Sequence, residues 1–478
     1  MLASALLLLL GGCATRPINP PLEQTDLKSG YRFESRQQFF ESQENLVILA
    51  FSGGGTRAAA FSYGVLEFLK RTEITGPLGN STRLLDQVDV ITGVSGGSFT
   101  ALAYGLYGDK LFEDYEQRFL KRDVQGEIVS RVMTPTYWGN LASENWGRSE
   151  LAANLYDEIL FKGATFGDLN RGKGPLIMAT ATDISTGSRF AFTQRLFDVL
   201  CSDLNAVPLS RAAAASSAVP VVLSPVTMNN YGGTCKRDQP AWLKPFLNNE
   251  HPARPAARAI RSFKAEETYT DSKNRPYIHL VDGGVSDNVA MSGVLDTLES
   301  LEALYGSGVP TPLDHVKRII VFIVNSLSSP KTNWDEIESS PGTLSILLKS
   351  AGAPIDRNSF EAVEQIKDTA QRWRTLRLIK DSVAINRNTD PRVVAALNIP
   401  KAEIYTIDVS FTALKDKTEQ EYLNEQPTSF VLPPEAVDRL RSAAGIIIQN
   451  SPEYQRLLKD LKLKAVTEPD TIGRTLAQ

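Results

Sequence analysis

A serine flanked by glycines interrupts an apolar stretch in the first quarter of the chain. Residues 88–92 (VDVIT) have the β-branched composition of a buried strand, and Gly-Val-Ser-Gly-Gly follows at 93–97, before a helical pattern of small residues begins. This Gly-x-Ser-x-Gly spacing between a strand and a helix is typical of a nucleophile elbow, a sharp turn that lifts a hydroxyl above the sheet. Side chains in place of Gly93 or Gly97 would collide in such a turn. We therefore expect Ser95 to be a nucleophile, with the N-terminus of the following helix directed at a developing oxyanion.

A second glycine cluster lies upstream, where the apolar run 46–51 (LVILAF) gives way to a helical pattern. Consecutive glycines allow backbone N–H groups to approach an anion closely, and Arg57 adds positive charge. One interpretation is an oxyanion hole for an ester intermediate, formed by Gly53, Gly54 and Gly55. The alternative is a dinucleotide-binding site, because Gly53-x-Gly55-x-x-Ala58 matches that fingerprint. The fingerprint needs an acidic residue at the end of the next strand, where this chain has Gly93, so the oxyanion hole is favoured.

A carboxylate at the end of another predicted strand is the best-placed base for the serine. Asp282 follows residues 277–281 (YIHLV) and precedes Gly283 and Gly284. Open α/β sheets place their active sites at the carboxyl ends of strands. An ordinary aspartate, with a pKa of about 3.9, is a weak base near neutral pH, so burial would have to raise its proton affinity. We predict a Ser95–Asp282 dyad.

The three histidines are poorly placed to complete a conventional triad. Strand alternation puts His279 and Asp282 on opposite faces of the sheet, because they are three residues apart. His315 precedes a predicted strand, at the end away from the expected site, and His251 lies in a Pro-rich loop. A dyad is therefore the simpler hypothesis.

Strand-like and helix-like segments alternate along most of the chain. Beyond 46–51 and 88–92, strands are predicted at 176–184, 277–281, 318–325 and 403–411, with a hairpin partner at 189–193. This alternation predicts an α/β fold with a mostly parallel central sheet. A helical period begins at Phe360, and together with 403–411 it predicts a carboxy-terminal extension, 301–478, that completes and covers the sheet.

Composition narrows the choice of partners. The 478 residues are 42% hydrophobic and 22% charged, with a formal net charge of −4. These values are typical of a globular protein and give no basic surface for nucleic acid. Cysteine and histidine do not cluster at the spacing of metal ligands, so no metal site is expected.

The amino terminus resembles the leader of a bacterial lipoprotein. An apolar run too short to span a bilayer ends in Leu-Gly-Gly-Cys at 10–13, similar to the lipobox whose cysteine is lipidated. The resemblance implies a signal peptide at 1–12, a lipidated Cys13 and a polar tether at 13–43, and Ala14 favours the periplasmic face of the outer membrane. An apolar leader with an incidental cysteine is the alternative. Export would permit a disulfide between Cys201 and Cys235, against the alternative of two free buried cysteines.

The motifs in this order resemble those of the patatin-like phospholipases. A glycine triplet with a basic residue, Gly-x-Ser-x-Gly and Asp-Gly-Gly occur between about Leu46 and Val289, with an Ala- and Ser-rich segment leading to proline (RAAAASSAVPVVLSP, 211–225). The resemblance implies a three-layer patatin-like fold over 44–300, the Ser95–Asp282 dyad, and hydrolysis without metal or cofactor. The chain departs from the family pattern at Ser52, often acidic in the family, and at Ala58, often glycine.

The activity expected from this resemblance is hydrolysis of acyl esters of membrane phospholipids or lysophospholipids. Two alternatives stay open. One is a non-catalytic lipoprotein that binds lipid or a protein partner on the same fold. The other is acyl transfer or thioester cleavage by the same serine, which a nucleophile elbow would serve equally well.

Overall fold

The structure is a computed structural model. It describes residues 15–143, 146–220, 222–247, 256–306, 308–311, 313–332, 334–382 and 389–470. The predicted signal peptide 1–12 and Cys13 lie outside the described residues, as does His251.

An eight-stranded sheet forms the centre of the molecule, and three short strands form a second sheet. The strands are β1 Asn45–Phe51, β2 Thr72–Thr75, β3 Ser81–Arg83, β4 Val90–Val94, β5 Leu176–Asp183, β6 Ser188–Ala191, β7 Val226–Asn229, β8 Tyr277–Val281, β9 Arg318–Asn325, β10 Glu403–Ser410 and β11 Lys464–Thr467. The large sheet has the order β10-β9-β1-β4-β5-β8-β7, with β6 also paired to β5, and the small sheet has the order β11-β2-β3. The run from β10 to β5 is parallel, whereas β6, β7 and β8 pair antiparallel. The predicted α/β class with a mostly parallel sheet is confirmed.

Helices cover both faces of the large sheet. They are α1 Phe33–Arg36, α2 Gly55–Arg71, α3 Gly96–Tyr107, α4 Leu111–Tyr115, α5 Val124–Met133, α6 Trp138–Leu141, α7 Arg148–Tyr156, α8 Phe166–Arg171, α9 Gln194–Val199, α10 Leu209–Ser216, α11 Lys244–Leu247, α12 Ala257–Glu267, α13 Gly284–Asp287, α14 Ser292–Gly306, α15 Thr343–Ser382, α16 Pro391–Ala396, α17 Lys417–Asn424, α18 Pro434–Asn450 and α19 Pro452–Asp460. On β5, Ile177 lies against Gly105 of α3, whereas Met178 lines a cavity together with Val294 of α14. Since neighbouring strand residues point to opposite faces, α3 and α14 lie on opposite sides of the sheet.

The carboxy-terminal third takes part in the same sheet. The whole length of β1 pairs in parallel with β9, and β10 pairs in parallel with β9 on its other side. Strands from both ends of the chain therefore lie side by side, and the edge beyond β1 is built by residues after 317.

The described part of the predicted tether packs on the body. Asn19 hydrogen-bonds Ser202 and the carbonyl of Asn229, and Tyr31 is fully buried. Arg36 is also buried and donates to backbone carbonyls that include that of Gly172. Polar side chains in this part of the segment thus find hydrogen-bond partners on the body.

Cys201 and Cys235 are joined by a disulfide in the structure, and they are 34 positions apart in sequence. The amino-terminal segment bonds to the backbone beside both cysteines: Leu22 N–H donates to the carbonyl of Cys201, and Lys236 N–H donates to the carbonyl of Glu23. The disulfide thus fastens the loop on which residues 22–25 lie.

Among the described residues, the helices are all too short or too polar to cross a bilayer.

Candidate active site

Ser95 sits at a strained turn between β4 and α3. Its backbone has φ 48° and ψ −122°, a region that costs a non-glycine residue roughly 1–3 kcal/mol. The turn is held from two sides: Ser95 N–H donates to the hydroxyl of Ser216 at 2.9 Å, and the Ser95 carbonyl accepts from Ser98 N–H at 3.0 Å. The strain is therefore maintained by fixed partners, as a nucleophile elbow requires.

The glycines of the elbow lie where a side chain has no room. A Cβ on Gly93 would lie 2.9 Å from the carbonyl oxygen of Gly97, and one on Gly97 would lie 2.6 Å from that of Ser52. A Cβ on Gly96 would collide with the backbone of Gly55. The first constraint lies within the turn, as expected from the motif. The other two come from the end of the neighbouring strand β1 and the loop that follows it.

Asp282 reaches the serine because of how the strands are arranged. β4 pairs with β5 as far as Val94, opposite Thr180, and β8 then pairs with the last residues of β5, with Val281 opposite Thr182. The first residue after β8 and the first residue after β4 therefore flank β5 at the same level, on either side of Ala181. The Asp282 N–H donates to the carbonyl of Ala218 at 2.9 Å, which fixes the backbone there.

Ser216 connects the two halves of the candidate dyad. Its hydroxyl accepts from Ser95 N–H, and its carbonyl accepts from Gly283 N–H at 3.0 Å. The Ser216 hydroxyl in turn donates to the carbonyl of Thr180 at 2.7 Å. The Ala- and Ser-rich segment around this residue was recognised from sequence, but its role was not, because Ser95 lies 121 positions away.

The surroundings of the Asp282 carboxyl group shift its pKa. Burial raises the pKa of Asp282 to about 6, and hydrogen bonds from Gly284 N–H and the Ser95 hydroxyl act in the opposite direction. The Gly284 bond is 2.7 Å long. A buried aspartate with this pKa is largely deprotonated at neutral pH yet is a stronger base than an exposed one, as proton abstraction requires.

The glycine loop differs from the expected arrangement at its first residue. Gly53 N–H is already bonded to the carbonyl of Asn288 at 2.8 Å, so it does not serve as the predicted oxyanion donor. Gly54 and Gly55 have positive φ values of 138° and 60°. In the described part of the chain, the N–H groups of Gly54, Gly55 and Gly96 have no hydrogen-bond acceptor, so these are donors available to an oxyanion.

Asn288 has a structural role in the glycine loop that sequence reasoning missed. Its carbonyl holds Gly53, and its side-chain oxygen occupies the space that a Cβ on Gly53 would need, at 2.6 Å. Gly53 thus allows the loop to approach both Asn288 and Ser95, whose Cβ lies 3.3 Å from the same point. The only sequence signal was its place six residues after the Asp-Gly-Gly motif began.

Arg57 lies beside the glycine loop, where a Cβ on Gly54 would be 2.9 Å from its Nη2, and its hydrogen bonds run to the carboxy-terminal third. Its guanidinium is buried and donates to the carbonyls of Ser326 and Gln426, each at 2.7 Å, and to the hydroxyl of Thr428 at 3.1 Å. Burial lowers the pKa of Arg57 to about 10. Because these bonds run to the carboxy-terminal third, Arg57 fastens that third to the glycine loop.

The histidines that the structure describes do not bond to the dyad. His279 is exposed, with Nδ1 at 3.0 Å from the hydroxyl of Thr227, and His315 is exposed before β9. Within the described residues there is also no group of three or more acidic, cysteine or histidine side chains suited to a metal ion.

Comparison with known proteins gives the family. A family model described as patatin-like phospholipase matches residues 49–295, just over half of the chain. The chain belongs to the patatin-like phospholipase family. The assignment made from the motifs is confirmed, and the family is one of lipid acyl hydrolases. A search of the curated proteins finds no match.

Solved structures similar to this patatin-like protein include human GIVD cytosolic phospholipase A2, at 14% identity and a TM-score of 0.44, covering 94% of this chain and 66% of that one. The same human enzyme in complex with methyl gamma-linolenyl fluorophosphonate has 12% identity and a TM-score of 0.42, covering 90% and 62%. VipD from Legionella pneumophila has 11% identity and a TM-score of 0.27, covering 97% and 74%. The chain spans just under two thirds of the length of the human phospholipase chains.

The site of this patatin-like protein is closed in the structure. Ser95 is 5% exposed and Asp282 is 7% exposed. Ser429 pairs with the glycine loop, accepting from Thr56 N–H at 2.8 Å, and the ring of Phe430 lies 5.6 Å from that of Phe99 on α3. The segment 426–430 therefore packs against the glycine loop and against α3.

The contact between the elbow and the glycine loop gives a first prediction. Replacing Gly96 with alanine would push the Gly55 backbone away, and we expect hydrolysis of p-nitrophenyl butyrate to fall by about 10²-fold or more, the effect of losing an oxyanion donor. The fold should remain, as judged by circular dichroism. Gly306→Ala is the control, because a Cβ there meets nothing within 4 Å. A Gly96→Ala protein as active as Gly306→Ala would contradict this assignment.

Proposed function

We propose that the protein is a serine acyl hydrolase that cleaves fatty-acyl esters of phospholipids and lysophospholipids through Ser95 and Asp282. The observation that carries the proposal is that the Ser95 hydroxyl lies close enough to the buried Asp282 carboxylate to lower its pKa, at an elbow that touches a glycine loop with free N–H groups. Membership of the patatin-like phospholipase family supports the choice of a lipid ester as substrate.

In this mechanism Ser95 Oγ attacks the ester carbonyl carbon while its proton passes to Asp282. The carbonyl oxygen becomes an oxyanion, for which the N–H groups of Gly54, Gly55 and Gly96 are the proposed donors. As the C–O bond to the alcohol breaks, Asp282 returns the proton to the leaving oxygen, and an acyl-serine remains. Water then attacks the acyl-serine and gives a proton to Asp282. As the bond between the acyl carbon and Ser95 Oγ breaks, Asp282 returns this proton to Oγ and the fatty acid leaves.

The dyad is tested by replacing its members one at a time. Ser95→Ala and Asp282→Asn should each lower fatty-acid release from phosphatidylcholine and lysophosphatidylcholine by at least about 10³-fold, because one removes the nucleophile and the other the base. A fluorophosphonate probe should label the unaltered protein but not Ser95→Ala. Ser185→Ala, at an exposed serine in the turn between β5 and β6, is the matched control and should keep both activity and labelling.

The same assay separates the alternatives. A protein that binds phospholipid but neither reacts with the probe nor releases fatty acid would be a carrier. Acyl appearing on an added alcohol or thiol, rather than as free acid, would show acyl transfer. Equal fatty-acid release from the unaltered protein and from both dyad variants would refute the dyad.

The pH dependence tests the role of Asp282 separately. Because burial raises the pKa of Asp282 to about 6 and the base acts when deprotonated, kcat/KM should rise with pH and level off above about pH 7. The measurement uses p-nitrophenyl butyrate, a soluble ester, so that lipid packing does not change with pH. Hydrolysis with Ser95→Ala gives the background. A profile that is flat from about pH 5 to 8, or a midpoint near 4, would contradict a buried base.

We also propose that Cys13 carries a lipid that attaches the protein to the periplasmic face of the outer membrane. The lipobox-like sequence and the disulfide between Cys201 and Cys235, which suits an oxidising compartment, support this location. Labelled palmitate should be incorporated into the protein expressed in bacteria and lost in Cys13→Ser, while Cys235→Ser keeps the label. Label retained by Cys13→Ser would refute the attachment.

A further inference from the structure

The segment 128–143 has an unusual surface for a globular protein. It contains a single charged residue, Arg131, and no acidic one. Val129 and Met133 lie four residues apart on α5 and so share a face, and both are exposed, Met133 by 68%. Trp138 on α6 is 56% exposed. Scattered exposed apolar residues are ordinary, but three within ten positions of a segment with one charged residue indicate an interaction site. We call residues 128–143 the docking segment.

The indole N–H of Trp138 already has a hydrogen-bond partner within the protein. Its Nε1–H donates to the carbonyl of Val132 within the docking segment, at 3.1 Å. The ring can therefore leave water without an unsatisfied donor, which would otherwise cost roughly 1–3 kcal/mol.

A basic groove of about 660 Å³ borders the docking segment. Its lining includes Val132 and Leu141 of that segment, together with Arg16, Arg148, Tyr277 and His279. Glu150 also lines the groove but forms a buried ion pair with Arg211 at 2.7 Å. Arg16 donates to the carbonyl of Thr227 and to the side chain of Asn229, and Arg148 also has a partner within the protein. The described lining thus holds two guanidinium groups and one carboxylate. We call Arg16, Arg148, Tyr277 and His279 the basic groove.

The basic groove is close to the candidate dyad. β8 contains Tyr277 and His279 and ends directly before Asp282. His279 is three residues from Asp282, and three residues of strand span roughly 10 Å. The loop after α10 runs from Ala218, which binds Asp282, to Ser224 in the groove lining. A molecule held in the groove would thus lie about one lipid headgroup away from the reacting atoms.

We propose that the docking segment and the basic groove together form the surface on which the protein binds a phospholipid bilayer. The boundary between headgroups and acyl chains receives Val129, Met133 and Trp138. Burial of apolar surface at this boundary favours binding of aromatic and aliphatic side chains. Arg16 and Arg148 meet lipid phosphates, which guanidinium groups bind well. The inference rests on the proposed function for the class of lipid. It also agrees with lipidation of Cys13, since Arg16 follows that cysteine by three positions.

Leu78 provides a matched control at a distance from the candidate site. It is almost fully exposed in the turn between β2 and β3. The helix α2 begins in the glycine loop, and β2 follows directly after its last residue. The 17 residues of α2 put roughly 25 Å between that turn and the site. An apolar side chain that simply adheres to lipid would behave alike at both places.

The test places a fluorophore at each position. Both variants, Met133→Cys and Leu78→Cys, are made in a full chain that also carries Ser95→Ala and Cys13→Ser. The first of these background changes prevents hydrolysis, and the second removes the lipid. The introduced cysteine is then labelled with an environment-sensitive dye. With vesicles of phosphatidylcholine and phosphatidylglycerol, we expect the emission at position 133 to rise about twofold or more and shift to shorter wavelengths, while position 78 does not change. An unchanged signal at 133, or an equal change at both positions, would overturn the proposal.

Vesicle co-sedimentation in the same background tests the residues themselves. Combining Val129→Gln, Met133→Gln and Trp138→Gln should weaken binding by about tenfold or more, and Leu78→Gln should not. Arg16→Gln with Arg148→Gln should reduce the preference for phosphatidylglycerol-containing vesicles by about tenfold. If the unaltered protein hydrolyses p-nitrophenyl butyrate but these variants bind vesicles as tightly as their parent, the docking surface is wrong and the proposed function stands.

Discussion

The site depends on a close backbone contact between two turns that leave adjacent parallel strands. Phe51 is paired with Gly93, so β1 and β4 end at the same edge, and the glycine loop and the elbow must share the space beyond it. Gly96 packs against the backbone of Gly55 and Gly97 against that of Ser52, at separations that exclude any Cβ. This contact puts N–H groups of both turns around Ser95, and it explains why glycine is needed on both strands' exits rather than in the elbow alone.

A second constraint holds the acid in place. The end of α10 reaches the sheet between the two motifs, and Ser216 bonds both Ser95 and Gly283 through its side chain and backbone. The strained φ of Ser95 and the position of Asp282 therefore share one support. Since a strained residue persists only where its surroundings determine it, the Ala- and Ser-rich composition has a physical reason: small side chains let this helix approach the sheet closely enough to bond both turns.

Much of the architecture could be predicted from local patterns, and the failures have identifiable causes. The strand predicted at 318–325 matches β9, because a continuous apolar run is typical of a buried strand, and the strand predicted at 277–281 matches β8, in which Tyr277 and His279 are exposed. The strand predicted at 88–92 begins and ends two residues later, at Val90–Val94. Gly93 and Val94 belong to the serine motif but still pair with β5. The helix expected from Phe360 begins at Thr343, because Pro354 and Gly352 concealed its first turns. The roles of Gly53 and Arg57 could not be predicted, because their partners Asn288, Ser326 and Gln426 are far away in sequence.

The carboxy-terminal third, unexplained by the motifs, links the site to the proposed docking surface. Gln426 and Thr428 bind Arg57, and Ser429 pairs with the glycine loop. The next residue, Phe430, accepts from the backbone N–H of Gln125 at the start of α5, the helix that leads into the docking segment. Contact of that segment with lipid would therefore act on a helix bonded to the cover of the oxyanion donors. Hydrogen bonds of the segment 426–430 thus connect the glycine loop with the start of the helix that carries Val129 and Met133.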